Sequence, residues 1–318
     1  MSIHSSTVAV IICTRDRPDD LALCLHSIEG QSIPPDEIII VSGSDESLCS
    51  GIDDRFGDLP IRVVDCYENN ISKSRNSGLE ATSAELILFI DDDAVAHDEW
   101  IRSYIEAFAA HPDVWAIGGD VYDASCAPRT LEFSRGLISS YGLQIPVRAD
   151  ASIDPPRGYF RNVKGCNFGI RREEVMRYGR FDPFYVFSFE ESDLIMMIHQ
   201  AGGGVMHERA AGVDHSHSYG YYRQNGWMDR NWRVEYASHT MFMLKHTKRS
   251  QRFTGRLFIY RRFLKLLLFA AFDVLRGVRG MSECAGIIRA AWRGIGDAYR
   301  DFACRGSVRS GECVTVQE

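Results

Sequence analysis

The segment LILFIDDD, residues 86–93, places three carboxylates directly after an apolar run. A short apolar run of this kind predicts a buried β-strand, which would end where Asp91, Asp92 and Asp93 begin. Neighbouring ionised carboxylates repel one another unless they are solvated or bound to a cation. A Mg²⁺ ion, which prefers carboxylate oxygens and substrate phosphates, would meet that need. A solvated turn before a helix capped by Asp98 explains the triplet equally well.

Apolar runs alternate with helical patterns around this segment. Further runs predict strands at 8–13, 38–41 and 61–64, and helical patterns begin at Pro18 and Ser72. This alternation favours a mostly parallel sheet with helices on both faces. Ligands bind at the carboxyl ends of the strands in such sheets, so polar clusters should meet at one edge. The clusters that follow the runs are residues 14–17, 42–45 and 91–93.

The composition is ordinary for a folded protein and argues against nucleic acid as the main partner. The 318 residues are 45% hydrophobic and 25% charged, and the net charge is −7. Phosphate-backbone binding usually requires a basic domain. The nine cysteines form no CxxC pair and the N-terminus lacks a signal-peptide pattern, which together predict a cytoplasmic location. The apolar run 266–272 is too short to cross a membrane.

Several short motifs follow one another in order between residues 6 and 220. They are IICTRDRP at 11–18, ISKSRNSG at 71–78, FIDDD at 89–93, GCNFGIRR at 165–172, GRFD at 179–182 and EESDL at 190–194. This series resembles family 2 glycosyltransferases of the GT-A fold, and an ordered series is more specific than any one motif. The resemblance implies a nucleotide-diphospho-sugar transferase fold, with a mostly parallel central sheet flanked by helices. It also implies an inverting mechanism, a nucleotide-sugar donor and a divalent metal, Mg²⁺ or Mn²⁺.

The chain is divided where its pattern becomes helical. We predict a GT-A catalytic domain over 1–225, a helical C-terminal region over 226–305 and a flexible tail over 306–318. Helical periodicity begins near Arg230, and Gly277 and Gly280 are the expected breaks. Residues 123–160 show no clear periodicity and are interpreted as a variable segment that faces the acceptor.

The resemblance implies different roles for the three carboxylates. Asp91 would contact the nucleotide and Asp93 the metal, while Asp92 would adjust the local field and be the most expendable of the three. His215 matches the family position of a histidine that approaches the metal or the diphosphate, and His217 would lie on the same face of a strand. A structural histidine is the alternative for His215.

Contacts to the donor base are implied for the turn after the first strand. The resemblance assigns Thr14 and Asp16 to the base, with Arg15 beside them. An N-cap role for Asp16 before Pro18 is compatible with this assignment. The second strand ends in Ser42 where the family commonly has an aspartate that recognises the base, so the identity of the base stays open.

Lys73 and Arg75 are candidates for the phosphate side of the donor site. Cations near a diphosphate offset its negative charge, and the guanidinium of Arg75 suits bidentate contacts. Both residues lie in a helical pattern, so a solvated helix face explains them nearly as well.

The resemblance identifies Glu191 as the catalytic base. A base accepts the proton of the acceptor hydroxyl, and a carboxylate beside an apolar wall can have its pKa raised toward that task. Glu191 replaces the more usual aspartate of the family. The spacing from Ser188 to Glu191 also forms a capping box, in which Glu191 would only serve the helix terminus.

A basic segment lies in the C-terminal region, where residues 245–280 carry ten Lys or Arg against one acid, Asp273. Its basic positions are expected opposite Leu264, Leu268 and Leu275 on one amphipathic helix. Residues 250–280 would then contact an anionic membrane surface, making the enzyme peripheral on the cytoplasmic face. A helix packed on the catalytic domain with a solvated basic face is the alternative.

The sequence therefore predicts sugar transfer to a hydroxyl of a saccharide or lipid-linked acceptor in glycan or polysaccharide biosynthesis. A sugar-phosphate nucleotidyltransferase is a second candidate, but it would carry a Gly-rich loop after the first strand, and residues 14–17 contain no glycine. A non-catalytic nucleotide-sugar-binding subunit is a third, because Ser42 and Glu191 depart from the family pattern.

Overall fold

The computed structural model describes residues 6–44, 55–126, 129–133, 135–147, 154–216 and 231–310, which fall into two compact units. The α/β unit is drawn from Met1–Ile138, Gln144–Tyr185 and Glu190–Gly220. The helical unit is drawn from Ser139–Leu143, Val186–Phe189 and Tyr221–Glu318. The helical unit therefore takes two short segments from within the α/β part of the sequence.

The first half of the α/β unit is a parallel sheet. Its strands are β1 (Val8–Thr14), β2 (Glu37–Ser42), β3 (Ile61–Asp65) and β4 (Leu86–Asp91), in the order β3-β2-β1-β4. All three neighbouring pairs are parallel, and helices α1 (Pro18–Glu29) and α2 (Ile71–Ala81) occupy the crossovers. The expectation of a mostly parallel sheet with flanking helices is confirmed.

The second half of the sheet adds mixed strands beside β4. The remaining strands are β5 (Ala94–Ala96), β6 (Val114–Asp123), β7 (Thr130–Phe133), β8 (Arg135–Ser139), β9 (Gln144–Val147), β10 (Tyr159–Asn162), β11 (Asn167–Arg171) and β12 (Gly204–His215). The helices are α3 (Trp100–Ala110), α4 (Arg172–Tyr178) and α5 (Glu190–Ala201). From β4 the order runs β11-β6-β12-β5, with β7 paired to β6. Because β11 is antiparallel to both β4 and β6, the sheet is mixed there.

Both faces of the sheet are buried, which explains the continuous apolar runs. Val10 and Ile12 of β1 pack in one core cluster, whereas Ile11 packs in the other. A strand buried on both faces loses the polar alternation of a half-exposed strand. Gly78 allows α2 to lie close to β1, since a Cβ there would meet a side-chain atom of Ile11 at 2.7 Å.

Two local expectations from the sequence are wrong. The segment 123–160 is not irregular throughout, because it contains β7 to β10, and β10-β8-β9 form a separate three-stranded sheet. Asp98 does not cap α3, since that helix begins at Trp100 with Glu99 at the N-cap and no side-chain capping bond. The alternative interpretation of the triplet, a solvated turn before a helix capped by Asp98, therefore lacks the expected cap.

The helical unit is built from three long helices, α6 (Trp232–His246), α7 (Arg252–Leu275) and α8 (Met281–Ser310). Tyr236, Leu244, Ile259 and Ile295 are among its buried core residues. The break between α7 and α8 falls at Gly277, with φ of 68°, as the glycine pattern indicated. Helix α8 continues past the boundary set at 305, and residues 311–318 of the expected tail lie outside the described residues.

A neutral histidine is buried in the helical unit. His239 on α6 is 2% exposed, its Nε2 lies 2.8 Å from the Tyr141 carbonyl oxygen and its Nδ1 faces an Arg262 N–H. Burial, reinforced by the charge of Arg262, lowers the pKa of His239 to about 3. The unfolded chain therefore binds a proton that the folded chain excludes.

Acidification is expected to destabilise the protein through His239. Its contribution to the free energy of unfolding is fully present above the unfolded pKa of 6.5 and is lost as the pH falls toward 3. Between about pH 7 and about pH 4 the loss is on the order of 3 kcal/mol. Urea unfolding of wild type and His239→Gln at both pH values measures it. His111→Gln makes the same change at an exposed position, and an equal acid sensitivity in all three proteins would refute the assignment.

Candidate active site at the carboxyl edge of the sheet

The acidic triplet lies where β4 ends, and its members differ in burial. Asp91 is half-buried, Asp92 is fully buried and Asp93 is 6% exposed. The main-chain N–H of Asp91 donates to the Cys166 carbonyl at 3.4 Å, which brings the turn before β11 against the triplet. Three carboxylates therefore lie at one strand end, with the turn before β11 against them.

Asp92 holds the turn after β1 in place. Its Oδ2 accepts a hydrogen bond from Thr14 Oγ1 at 2.7 Å, and its Oδ1 lies 2.5 Å from Arg17 Nη2. Burial raises the pKa of Asp92 to about 7, although Arg17 and Thr14 oppose that shift. The interpretation of Asp92 as the most expendable carboxylate is therefore wrong, because removing it would leave a buried hydroxyl and a guanidinium without this partner.

Replacing Asp92 with alanine is expected to lower the free energy of unfolding by about 1 to 3 kcal/mol, because the buried Thr14 hydroxyl loses its hydrogen-bond partner while Arg17 keeps its contact with Asp93. Urea unfolding at neutral pH measures the change. Asp98→Ala removes an exposed carboxylate from the same region and serves as the control. Equal stability of the two variants would contradict the structural role.

Asp93 and His215 meet because β12 pairs with β5. His215 is opposite Ala94 in that pairing, so its Nε2 lies 3.2 Å from Asp93 Oδ1 and its Nδ1 lies 4.0 Å from Glu132 Oε2. Burial lowers the pKa of His215, but its contacts with Asp93 and Glu132 outweigh this and raise it to about 9. Arg17 Nη1 lies 3.1 Å from the other oxygen of Asp93. Asp93 is therefore surrounded by donors on both sides.

A metal would find suitable ligand atoms beside the triplet. A carboxylate oxygen of Asp91, Cys166 Sγ and a ring nitrogen of His215 lie within 4.8 Å of one another. Burial raises the pKa of the Cys166 thiol well above its usual value. The carboxylates are therefore the donors ready for a cation here, and they suit Mg²⁺ or Mn²⁺, whereas His215 would have to release its proton before it could bind the ion. Asp93 contacts the same histidine, so a second carboxylate lies beside these ligand atoms.

Arg75 joins the triplet to a second acidic group. Its Nη1 lies 3.0 Å from Glu190 Oε1, its Nη2 donates to the Gly165 carbonyl at 2.9 Å, and the same nitrogen lies 3.6 Å from Asp91 Oδ1. Although burial opposes its charge, Glu190 and Asp91 raise the pKa of Arg75, so it stays protonated. With 3% of the residue exposed, Arg75 offers little surface to a phosphate. We reassign it as the cation that fixes the two acidic groups relative to each other.

Glu190 and Glu191 open helix α5 but have different surroundings. Glu190 is buried, and burial together with the neighbouring Glu191 raises its pKa well above the usual range. Glu191 is half-buried and its Oε1 accepts from Ser192 Oγ at 3.0 Å. Helix α5 starts at Glu190 and Phe189 has φ of 72°, so Ser188 does not occupy the N-cap. The capping-box alternative does not match this geometry.

The turn after β1 is shaped by Asp16, which has φ of 56°. Its main-chain N–H donates to Ser44 Oγ at 2.7 Å, and Arg17 rather than Asp16 occupies the N-cap of α1, without a side-chain bond. Short polar side chains tolerate this left-handed conformation better than most. The N-cap interpretation of Asp16 is therefore wrong, and its exposed carboxylate stays available to a ligand.

The remaining candidates on the donor side are spread along the edge. Arg15 donates to the Gly43 and Tyr67 carbonyls at 2.9 and 2.5 Å, which ties the ends of β2 and β3 together. Ser42 is 2% exposed and accepts from the main chain of Ser44, so its hydroxyl does not face solvent. Lys73 pairs with Glu68 at the surface. Asp45 and His217 lie outside the described residues.

Asn167 joins the elements that carry the site through hydrogen bonds of its side-chain amide. Nothing in the sequence indicated this role beyond the position of Asn167 in the GCNFGIRR motif. Its Nδ2 donates to the carbonyls of Asp120 and Ala211 at 3.0 and 2.9 Å. Its Oδ1 accepts from Trp100 Nε1 and Tyr104 Oη, both at 2.8 Å. Every hydrogen-bonding position of the amide is used, which locks β11, β6, β12 and α3 together.

Sequence reasoning also missed the structural ion pairs of the site. Arg17, Glu132 and Glu190 each contact a predicted site residue, yet none was assigned a role. Their partners are distant in sequence, so no local pattern marks them.

Two curated relatives and a solved structure are similar to this chain. A glucosyl-dolichyl phosphate glucuronosyltransferase of Haloferax volcanii is 26% identical over 65% of this chain and 68% of its own. An uncharacterized glycosyltransferase of Bacillus subtilis, YwdF, is 33% identical over 56% and 66%. A mannosyltransferase of Pyrobaculum calidifontis, solved with GDP-Man and Mn²⁺, aligns with a TM-score of 0.51 at 14% identity over 98% and 77%.

The fold is that of solved GT-A glycosyltransferases, as the sequence motifs implied. The family model described as glycosyl transferase family 2 matches residues 9–145, which include β1 to β4 and the acidic triplet. This part of the chain is therefore similar to glycosyltransferase family 2, and the curated relatives are named as glycosyltransferases.

Proposed function

We propose that this enzyme transfers a sugar, with inversion, from a nucleotide-sugar donor to a hydroxyl of a saccharide or lipid-linked acceptor. One observation carries the proposal: Arg75 lies within 3.0 Å of Glu190 and 3.6 Å of Asp91. It thereby connects the carboxylates that suit a metal and diphosphate with the helix that carries a candidate base. A nucleotide-binding subunit without catalysis would need the carboxylates of the metal site but not the candidate base.

The donor side of the proposed site comprises the triplet and the turn after β1. We propose that Asp91, Asp93 and His215 hold the divalent metal, Mg²⁺ or Mn²⁺, and that Thr14, Arg15 and Asp16 face the nucleotide. Asp92, Ser42 and Arg75 would position these groups from behind, and Lys73 would approach the phosphates from α2. A bound divalent cation would supply charge that stabilises the departing diphosphate.

The acceptor side is assigned to Glu191. A new bond forms between the acceptor oxygen and the anomeric carbon while the bond from that carbon to the donor phosphate oxygen breaks. The acceptor proton passes to Glu191, and the nucleoside diphosphate leaves with the electron pair. Attack on the face opposite the leaving group inverts the anomeric centre. The half-buried position of Glu191, beside the buried Glu190, suits a base that needs access to substrate.

The relatives suggest the acceptor class. The Haloferax volcanii relative is named for a dolichyl phosphate-linked sugar, and two more distant relatives are named for amylovoran and succinoglycan biosynthesis. We therefore propose a role in glycan or polysaccharide biosynthesis, with a lipid-linked acceptor presented at the cytoplasmic face of a membrane. Among the residues that the structure describes, no helix combines the length and the apolar character needed to cross a bilayer.

Nucleoside diphosphate release tests the proposed function. Purified protein is incubated with Mn²⁺ or Mg²⁺ and a panel of nucleotide sugars, with and without a lipid-phosphate sugar acceptor. Metal-dependent release that rises with acceptor is the expected result. Pyrophosphate formation from a sugar phosphate and a nucleoside triphosphate would support a nucleotidyltransferase instead. Donor binding without release under any condition would favour a non-catalytic subunit.

A further inference from the structure

Helix α7 exposes a continuous apolar stripe. Its members are Phe253 (73% exposed), Leu257 (53%), Leu264 (54%), Leu268 (63%) and Leu275 (85%). At 100° per residue these positions fall within an arc of about 60°, so they form one line along the helix. Large apolar side chains that are exposed together, rather than singly, mark an interaction surface.

The opposite face of α7 already has its partners within the helical unit. Gly255, Ile259, Leu266 and Ala270 are the buried residues of this helix. Both faces of α7 are apolar, but packing within the helical unit buries only one of them, so the other stays exposed. The sequence-based expectation that the leucines lie opposite the basic residues is wrong, since the cations flank the exposed leucine stripe.

The flanking charges on α7 are positive. Arg261, Lys265 and Arg276 are exposed along one edge of the stripe, and Arg256 is exposed along the other. Asp273 is the one acid of the helix, and it is half-buried with an oxygen 3.8 Å from Arg279. An apolar line bordered by cations matches the acyl and headgroup layers of an anionic leaflet.

Aromatic residues extend this surface to α8. Trp292 is 54% exposed, and its ring centroid lies 6.4 Å from that of Tyr260 and 5.4 Å from that of Phe263. Arg289 and Arg293 are exposed beside it on α8. Tryptophan and tyrosine prefer the headgroup level of a bilayer, where the ring is buried and the polar atom is hydrated.

We propose that the α7 stripe, with its flanking cations, inserts into the interface of an anionic membrane. A second copy of the chain is a poorer occupant, because pairing two stripes would bring the Arg and Lys borders of both copies together without an exposed acid on α7 to offset them. Acidic headgroups complement this pattern of charge directly. This proposal rests on the proposed function, because a membrane-bound enzyme would meet a lipid-linked acceptor at the membrane. Its test measures membrane binding and does not require sugar transfer.

Vesicle flotation tests the proposal with the full chain. The protein is mixed with vesicles of phosphatidylcholine alone or with phosphatidylserine, and nucleoside diphosphate release is followed separately in solution. Wild type is expected to float with the anionic vesicles only. Leu264→Glu/Leu268→Glu is expected to lower partitioning by more than about tenfold, because it removes two inserting side chains and adds repulsive charge. Arg261→Gln/Lys265→Gln is expected to lower it by about tenfold or more, since each cation near the surface contributes a factor of about five.

Leu23→Glu provides the matched control, because Leu23 is 59% exposed on α1 of the α/β unit and should leave flotation unchanged. Flotation of the stripe variant at the wild-type level would overturn the proposal, as would equal flotation on neutral vesicles. A dimer seen by light scattering that is lost in Leu264→Glu/Leu268→Glu, without any flotation of wild type, would identify a second copy as the occupant. Flotation without turnover would refute the proposed function and leave the membrane surface standing.

Discussion

Replacing Asp93 with alanine is expected to lower metal-dependent nucleoside diphosphate release by at least about a thousandfold, the scale of losing the charge that stabilises a leaving group. Asp93 is the carboxylate that faces His215 at 3.2 Å and Arg17 at 3.1 Å, so it sets the charge at the proposed metal site. Its loss would remove a proposed metal ligand and leave His215 and Arg17 without this carboxylate. Release assays over a range of Mn²⁺ concentrations measure the effect.

Mn²⁺ binding separates a metal role from a purely structural one. Electron paramagnetic resonance counts free Mn²⁺ directly, and Asp93→Ala is expected to raise the dissociation constant while Asp98→Ala leaves it unchanged. If Asp93→Ala bound Mn²⁺ as wild type does and kept turnover, the metal would have to be held by the Asp91, Cys166 and His215 group alone. Comparing the Mn²⁺ dissociation constants of the single variants Asp91→Ala and Asp93→Ala therefore shows which carboxylate binds the ion.

The parallel half of the sheet was predictable because its signals are local. The apolar runs ending at Thr14, Ser42 and Asp91 are strands in the structure, and the polar clusters follow them along one edge. Parallel strands that are buried on both faces need continuous apolar residues, so each strand is visible as an apolar run in the sequence. The first helix begins at Pro18 as predicted, but the caps assigned to Asp98 and Asp16 were wrong, because capping depends on backbone geometry that a short polar residue does not fix.

The mixed half of the sheet and the contacts of the site could not be predicted in the same way. Strands β7 to β10 are only four or five residues long, and β7 and β9 pair with the strands just before them, so each apolar signal is too short to separate from a loop. The role of Asp92 was misjudged because its partners, Thr14 and Arg17, lie more than seventy residues earlier. Likewise, whether α7 exposes or buries its leucines depends on α6 and α8, since both faces of the helix are apolar. Long-range burial decides these points, and no local pattern encodes it.

Replacing Glu191 with glutamine is expected to leave donor and Mn²⁺ binding intact while sugar transfer falls by about a hundredfold to ten-thousandfold, the usual contribution of a general base. Glutamine has nearly the shape of glutamate and still accepts the hydrogen bond from Ser192. A residue that served only this hydrogen bond would therefore be replaced without loss. The substitution therefore distinguishes the two roles.

Two further variants complete this test. Glu191→Asp, which installs the family's usual residue, is expected to restore part of the transfer, because the carboxylate is present on a shorter side chain. Glu173→Gln makes the same chemical change in the first turn of helix α4, where the side chain is exposed, and should be silent. Unchanged transfer would assign the proton to another acceptor and leave Glu191 a helix residue beside the buried pair of Glu190 and Arg75.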